Sequence, residues 1–357
     1  MQEALASPLK KPTMTSKSRA PAVSDRASSS AAQAAKRILA RLYAPIAGDL
    51  ARVEERYRAE LSSDDPYIAT LLEYIEDYSG KKLRPALLLL AGRACGKVTE
   101  DHIILGAVAE MLHTATLVHD DILDEALLRR KRASINALAG NEVSVLLGDH
   151  IFSHAFEVSL RCSTTEGARQ FSRAMAVTCL GEVMQVNNRN NFDLDEAKYL
   201  KIIDGKTAEL YATSARLGAH YAGAASEVCE AFYSYGMQLG RAFQIMDDLL
   251  DLLGEEALVG KTLGSDVEKG KPTLPLIHFL SRSDKKQRAL ALTAVKAGAK
   301  GRDELLKLLH STESFKYAAQ KARGYIEDAK RGLAVLGKNE LRPLFEEIAD
   351  FVLSREL

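Results

Sequence analysis

From about residue 38 onward the chain repeats apolar residues at spacings of three and four, as in "LYATSARLGAHYAG" and "SFKYAAQKARGYIEDAKRGLAVL". An α-helix takes 3.6 residues per turn, so this spacing lines up one apolar face per helix, and the Ala, Leu, Glu, Lys and Arg between are good helix formers. Alternating Val, Ile and Thr runs of strand type are scarce, and short Gly or Asp/Ser punctuation separates the helical stretches. No linker rich in Pro or Gly divides residues 38–357. The pattern predicts an all-α fold, one large helical bundle over 38–357. Before it, Ser, Ala and Pro dominate residues 1–37, where seven Lys or Arg face only Glu3 and Asp25, the composition of a disordered basic tail. Pro8, Pro12 and Pro21 interrupt any amphipathic targeting helix there.

The rest of the composition narrows the partners. With 48 basic and 48 acidic residues the chain has no overall field to attract a polyanion, so nucleic acid is not an expected partner. Cys95, Cys162, Cys179 and Cys229 lie far apart with no CxxC pair, and no apolar run reaches the roughly 18 residues of a membrane span. A reducing cytoplasm is the simplest expected location.

Charge is instead concentrated locally. In "HDDILDEALLRRKR", residues 119–132, four acidic side chains are followed by a basic run. No Pro or Gly interrupts 108–139, which predicts a helix through "AEMLHTATLVHDDILDEALLRR", residues 109–130, with Asp120, Asp121 and Asp124 in one sector about 100° wide and His113 and Leu117 in the same sector. Clustered carboxylates repel unless a cation neutralises them, and hard oxygen donors in this number suit Mg²⁺. A solvated acidic face would explain one such motif. A second, "FQIMDDLLDLLG", repeats the spacing with Asp247, Asp248 and Asp251 in a far more apolar setting, with Gln244 on the same sector. Charges inside a buried helix are costly without a partner or a metal, so a pair of facing acidic helices caging divalent ions and a bridging diphosphate is the stronger reading.

Together with "GKKLRP", "KIIDGKTAELYATSARLGA" and "GKTLGSDVEKGKPTLP", the two motifs resemble those of the trans-isoprenyl diphosphate synthases, the polyprenyl synthetase family, in the family's order from about Gly80 to Pro275. The resemblance implies an all-α isoprenoid synthase fold with a central active-site cavity, usually a homodimer. It implies a reaction in which an allylic diphosphate ionises and its carbocation alkylates isopentenyl diphosphate. It also implies three Mg²⁺ ions on Asp120, Asp121, Asp124, Asp247, Asp248 and Asp251. Arg129, Lys206, Lys261 and Lys271 complete the allylic diphosphate site, and Lys81, Arg84, His113 and Arg130 hold isopentenyl diphosphate without metal. The Lys206 carbonyl, the Thr207 hydroxyl and the Gln244 amide oxygen face the cation. Taken singly, these basic residues could be surface charges and His113 a core histidine. The pattern departs from the family's at Ser79, Lys82 and Lys131, none of them a mapped ligand.

By the same resemblance, the residue five positions before the first Asp pair, Ala115, with Thr116 beside it, forms the floor of the elongation cavity; Met111 or Leu112 is the alternative. A small floor resembles the long-chain, octaprenyl-type synthases, whose products are quinone tails and leave through transient membrane contact. A short-chain farnesyl or geranylgeranyl diphosphate synthase and a non-catalytic partner subunit are the alternatives, the complete aspartate sets favouring an active enzyme.

Overall fold

The computed structural model describes residues 23–76, 78, 80–129, 132–253 and 265–354. Helices α1 to α5 run over Val23–Leu42, Ala47–Glu60, Pro66–Glu76, Leu83–Cys95 and Glu100–Leu123. A small hairpin, Leu128–Arg129 paired antiparallel with Arg132–Ala133, provides the strands seen among the described residues. Then come α6 (Ile135–Ser159), α7 (Glu166–Asn187), α8 (Glu196–Ile203), a π-helical turn at Asp204–Ala208, α9 (Glu209–Tyr221) and α10 (Ser226–Leu253). Further helices, Ser265–Glu268, Leu274–Arg282, Lys285–Lys296, Arg302–Ser311, Ser314–Gly332 and Arg342–Leu353, complete an all-α bundle.

The innermost helices are those whose sequence is apolar on every side. In α4 the run Leu87, Leu88, Leu89 and Leu90 has no exposed surface, and in α5 residues 102–112 are all buried. A helix without a polar stripe can be stable only in the interior, and burying one such Leu side chain is worth roughly 1.5–3 kcal/mol. Around this centre α5 packs on α2, α4 and α6, α4 packs on α9, and α10 packs on α9 and Ser314–Gly332. Caps fix the ends: Asp195 accepts from the Lys198 amide at 2.7 Å to start α8, and Glu100 and Asp101 place negative charge at the positive end of α5.

Two expectations change. The boundary between a tail at 1–37 and a bundle from 38 falls inside α1, which starts at Val23. Ala35 and Leu39 pack against the core and Leu42 is fully buried, so an Ala-rich stretch gains a helical face by docking, as α1 does on Arg342–Leu353. Residues 1–22 lie outside the described residues. The helix predicted through 109–130 stops at Leu123, with Asp124 as its C-cap, and the chain turns at Glu125 with φ of +49°. No Pro or Gly marks this stop; the turn is held by tertiary hydrogen bonds, described below.

Helices α4 and α9 touch at Gly218. A Cβ built there would lie 2.0 Å from the Leu88 carbonyl oxygen, while the Gly218 carbonyl accepts from His102 Nε2 at 3.0 Å. We expect Gly218→Ala to force these helices apart and to lower stability by about 1–3 kcal/mol, read as a reduced denaturant midpoint at unchanged m-value. An unchanged midpoint would show that the contact can relax freely.

Candidate active site

The first acidic motif lies where α5 ends. Asp121, 1% exposed, receives Arg129 in a fork, with Nε at 2.9 Å from both carboxylate oxygens and Nη2 at 2.6 Å from Oδ1. Arg129 reaches back because the chain reverses. The Ala126 amide donates to the Asp121 carbonyl at 2.8 Å, the Ser134 hydroxyl to the Ala126 carbonyl at 2.5 Å and the Ser134 amide to the Leu127 carbonyl at 3.0 Å. Tyr74 and Tyr78 support the hairpin. Tyr74 donates to the Ala133 carbonyl, Tyr78 accepts from the Ile135 amide, and the Arg129 guanidinium stands 5.5 Å over the Tyr78 ring.

Asp124 and Asp120 are met by lysines from distant segments. Lys271 Nζ lies 2.8 Å from Asp124 Oδ1, with Arg189 at 3.3 Å and Lys269 at 3.7 Å. Burial alone would raise the pKa of Asp124, but Lys271, Lys269 and Lys206 outweigh it and hold the carboxyl below its ordinary value. Lys206 Nζ stands 3.8 Å from Asp120, 2.5 Å from Glu182 Oε1 and 2.9 Å from Gln185 Oε1. Lys206 and Thr207 belong to the π-helical turn, which α7 approaches almost backbone to backbone: a Cβ on Gly181 would lie 2.5 Å from the Lys206 amide nitrogen.

The second motif projects from α10. Asp248 and Asp251 are buried and Asp247 is half-buried. Both oxygens of Asp248 are engaged: Gln244 Nε2 donates to Oδ1 at 2.8 Å and the Tyr199 hydroxyl to Oδ2 at 2.7 Å. The Thr207 hydroxyl in turn donates to Gln244 Oε1 at 2.7 Å. Asp251 Oδ2 accepts from the Asp266 amide at 3.1 Å, and Asp266 Oδ1 lies 3.5 Å from Lys271 Nζ. The two trios are therefore linked across the bundle twice, from Asp124 through Lys271 and Asp266 to Asp251, and from Asp120 through the turn carrying Lys206 and Thr207 to Gln244 and Asp248. Yet among the described residues no three His, Cys, Asp or Glu side chains are grouped closely enough to hold one metal ion; the carboxylates are turned to protein cations and donors instead.

The other expected residues fall into place unevenly. Arg84 stacks its guanidinium 4.3 Å over the Tyr211 ring, and its Nε is buried with no hydrogen-bond partner among the described residues. Lys81 places Nζ 5.1 Å over the Phe351 ring, and His113 is half-buried on α5. Ala115 is fully buried, as are Met111 and Leu112, while half-buried Thr116 donates its hydroxyl to the His113 carbonyl at 2.6 Å. Arg130 and Lys261 lie outside the described residues. The sequence reading missed Tyr199, Glu182, Gln185, Arg189 and Asp266. Glu182 and Gln185 share a face of α7 at a spacing of three, a weak signal, and Asp266 sits in the quoted "GKTLGSD" segment. An isolated Arg189 in "NNRNN" carries no signal at all.

Residues 65–311 match the family model described as polyprenyl synthetase. The octaprenyl diphosphate synthase of Haemophilus influenzae is 35% identical over 309 residues, covering 86% of this chain and 94% of the relative. A short chain isoprenyl diphosphate synthase of Methanothermobacter thermautotrophicus is 33% identical over 311 residues, covering 85% and 95%. The crystal structure of a polyprenyl synthase from Caulobacter crescentus, complexed with calcium and isoprenyl diphosphate, superposes with a TM-score of 0.85 at 34% identity, covering 89% of this chain and 98% of that one.

Burial, aided by the nearby charges of Asp266 and Asp247, pushes the Asp248 carboxyl up to about 7, against hydrogen bonds from Tyr199 and Gln244 that pull it down. Between 3.8 and about 7 the native chain then keeps a proton that the unfolded chain has released, so stability falls as pH rises through that window. We expect Asp248→Asn to flatten this dependence in metal-free protein and to melt higher than wild type above the window. Parallel melting-temperature profiles for the two proteins would show that Asp248 is already ionised in the native state.

Proposed function

The chain belongs to the polyprenyl synthetase family and is a trans-prenyltransferase, and on that premise we propose that it extends an allylic diphosphate, such as farnesyl diphosphate, with isopentenyl diphosphate units to a long-chain all-trans product destined for a quinone side chain. The observation that supports this reading is the double link between the acidic trios, Lys271 standing on Asp124 and Asp266 between Lys271 and Asp251 on one side, and Thr207 bonded to Gln244 on the other.

The donor set fits Mg²⁺. Hard carboxylate oxygens come from two sides, and the buried Asp248 has its oxygens met by neutral Tyr199 and Gln244, leaving its charge short of compensation. Asp120, Asp121, Asp124, Asp247, Asp248 and Asp251 would hold the metal, three ions per site by family resemblance. When bound, Mg²⁺ supplies Lewis-acid stabilisation of the charge that develops on the leaving diphosphate.

The chain's own groups do the rest. Arg129, Lys206 and Lys271 already stand on these carboxylates, so an arriving diphosphate meets three cations; Lys261 is assigned to the same site. Buried Arg84 Nε lacks an acceptor that the diphosphate of isopentenyl diphosphate would provide, and family resemblance assigns Lys81, His113 and Arg130 to the same diphosphate. The Thr207 hydroxyl and the Gln244 amide present fixed dipoles to the allylic cation, and the surrounding apolar helices exclude the water that would quench it. By family resemblance the small side chain of Ala115, fully buried, would form the floor beneath a growing chain, with Met111 and Leu112, also fully buried, as the alternative.

Exposed apolar side chains on neighbouring elements, Leu146 at 68% on α6, Leu180 and Val183 at 63% each on α7, and Leu127 at 71% before the hairpin, support a homodimer that covers them. Among the described residues no helix is long and apolar enough to cross a membrane. We place the enzyme in the cytoplasm, with transient membrane contact as the greasy product leaves.

Incubation of the purified chain with farnesyl diphosphate, labelled isopentenyl diphosphate and Mg²⁺ is expected to give butanol-extractable label that EDTA abolishes; no label from the homogeneous protein would refute the reading. Asp120→Ala and Asp247→Ala should each lose on the order of 10² or more in rate, the scale of a lost transition-state electrostatic contact, and wild-type turnover in either would make the acidic motifs dispensable. Ala115→Phe is expected to shorten the product ladder on reversed-phase thin-layer plates. An unchanged ladder would move the floor to Met111 or Leu112, and a wild-type ladder ending at three or four isoprene units would assign a short-chain synthase instead.

A further inference from the structure

Helix α8 contributes none of the residues that the chemistry above uses, yet it sends one side chain into the site. Tyr199 is 4% exposed, and its hydroxyl reaches Asp248 Oδ2 at 2.7 Å, the oxygen that Gln244 leaves free. We infer that Tyr199 is a positioning residue for the second acidic motif, setting the orientation of the Asp248 carboxylate and, through it, the face that Gln244 turns toward Thr207. The inference rests on the reading of Asp248 as a metal ligand.

The geometry leaves little freedom. A carboxylate turns about its terminal torsion easily, so a buried one is oriented by whatever donors it finds. Gln244 lies one helical turn before Asp248 on α10 and can follow it. Tyr199 cannot follow, because its rigid ring is packed inside the core and its amide is fixed in the first turn of α8 by the carbonyl of the N-cap, Asp195, at 3.0 Å. It is thus the fixed donor of the set. The consequence passes down the chain of bonds. With Asp248 accepting at Oδ1, Gln244 must point its NH2 there, and its oxygen is left for Thr207, 2.7 Å away. If Asp248 turned, nothing would decide the Gln244 amide, and the dipole at Thr207 could reverse. Residues that orient metal ligands in this way typically change metal affinity or activity by about 10–100-fold when removed.

The same contact ties α8 to α10 in register with two others, the Thr207 to Gln244 bond and the forked pair from Arg241 to Asp204 at 2.5 and 2.7 Å. The π-helical turn is thereby held at both ends against α10, and Tyr199 is the tie nearest the acidic motif.

The test uses the full chain and Tyr199→Phe, which keeps the ring and removes the hydroxyl. Tyr233→Phe, which removes a 2.7 Å bond to Glu209 away from the site, is the control. Binding of Mn²⁺ alone is followed by electron paramagnetic resonance, and kcat and the KM for isopentenyl diphosphate are measured with Mg²⁺. Tyr199→Phe is expected to weaken Mn²⁺ and lower kcat by about 10-fold or more, with the KM for isopentenyl diphosphate and the control variant unchanged. In an Asp248→Asn background Tyr199→Phe should add nothing to the loss of Mn²⁺ affinity, since both act through one carboxylate. Wild-type Mn²⁺ affinity in Tyr199→Phe, additive losses in the double variant, or an equal rise in the KM would each overturn the inference. Wild-type protein that neither binds Mn²⁺ nor turns over would instead overturn the proposed function, and this inference with it.

Discussion

Carboxylates on two apolar helices cannot sit in a low-dielectric interior without positive charge or hydrogen-bond donors, and much of the architecture answers that demand. Helix α5 stops at Leu123 so that the chain can reverse and bring Arg129 onto Asp121. Lys271, from a segment far along the chain, closes on Asp124, and Lys206 approaches Asp120 from the π-helical turn. On the function proposed above, each pairing would be taken over by a diphosphate and its cations, since a protein cation that neutralises a carboxylate in the free protein could grip a phosphate oxygen once that carboxylate held metal.

The π-helical turn shows how close packing serves this electrostatic arrangement. Gly181 and Gly205 let α7 and the turn approach until their backbones touch, and a side chain at either would push Lys206 away from the acids. With the turn seated, Glu182 and Gln185 hold the Lys206 ammonium, while Thr207 faces α10 and bonds to Gln244. A wider helical turn at a functional site is a common use of the π-helix, since it re-aims successive residues without ending the helix.

The connection between α7 and α8 braces the first acidic motif against the segment that carries Lys271. Arg189 donates to the Leu123 carbonyl at 2.9 Å and reaches Asp124, while the Asn190 amide donates to the Gly270 carbonyl at 2.7 Å. Gly270 has φ of +69°, and a Cβ there would collide with the Asn190 side chain, so only glycine allows this seat. Arg288 anchors the same connection through the Phe192 carbonyl and Asp193. The spacing between Asp124 and Lys271 is thus set by a loop that carries no acidic motif of its own.

How much of this the sequence discloses differs from residue to residue. The period of three to four residues announces helices such as α4, α5 and α10, because burying an apolar face is a local arithmetic of spacing. The repeated aspartate triplets announce the chemistry, because charges in apolar helices demand a cation. The end of α5 was not legible, since no Pro or Gly marks it and the turn at Glu125 is held by Ser134 and by Arg129 on Asp121, contacts that exist only once the hairpin folds back over Tyr74 and Tyr78. The start of α1 escaped for a similar reason: an Ala- and Ser-rich segment is marginal as a lone helix, and Ala35, Leu39 and Leu42 gain from helicity only by docking. Tyr199 and Arg189 gave no usable warning and Glu182 only the weak one of its spacing from Gln185, since a tyrosine or an arginine at an ordinary helical or loop position looks like any other. By itself, then, the sequence determined which side chains must be neutralised and which helices must be buried, both properties of residues and their local period. Only the tertiary structure decided which partner neutralises which carboxylate, because that depends on distances between segments far apart in the chain, and Coulomb attraction and hydrogen bonding act through space.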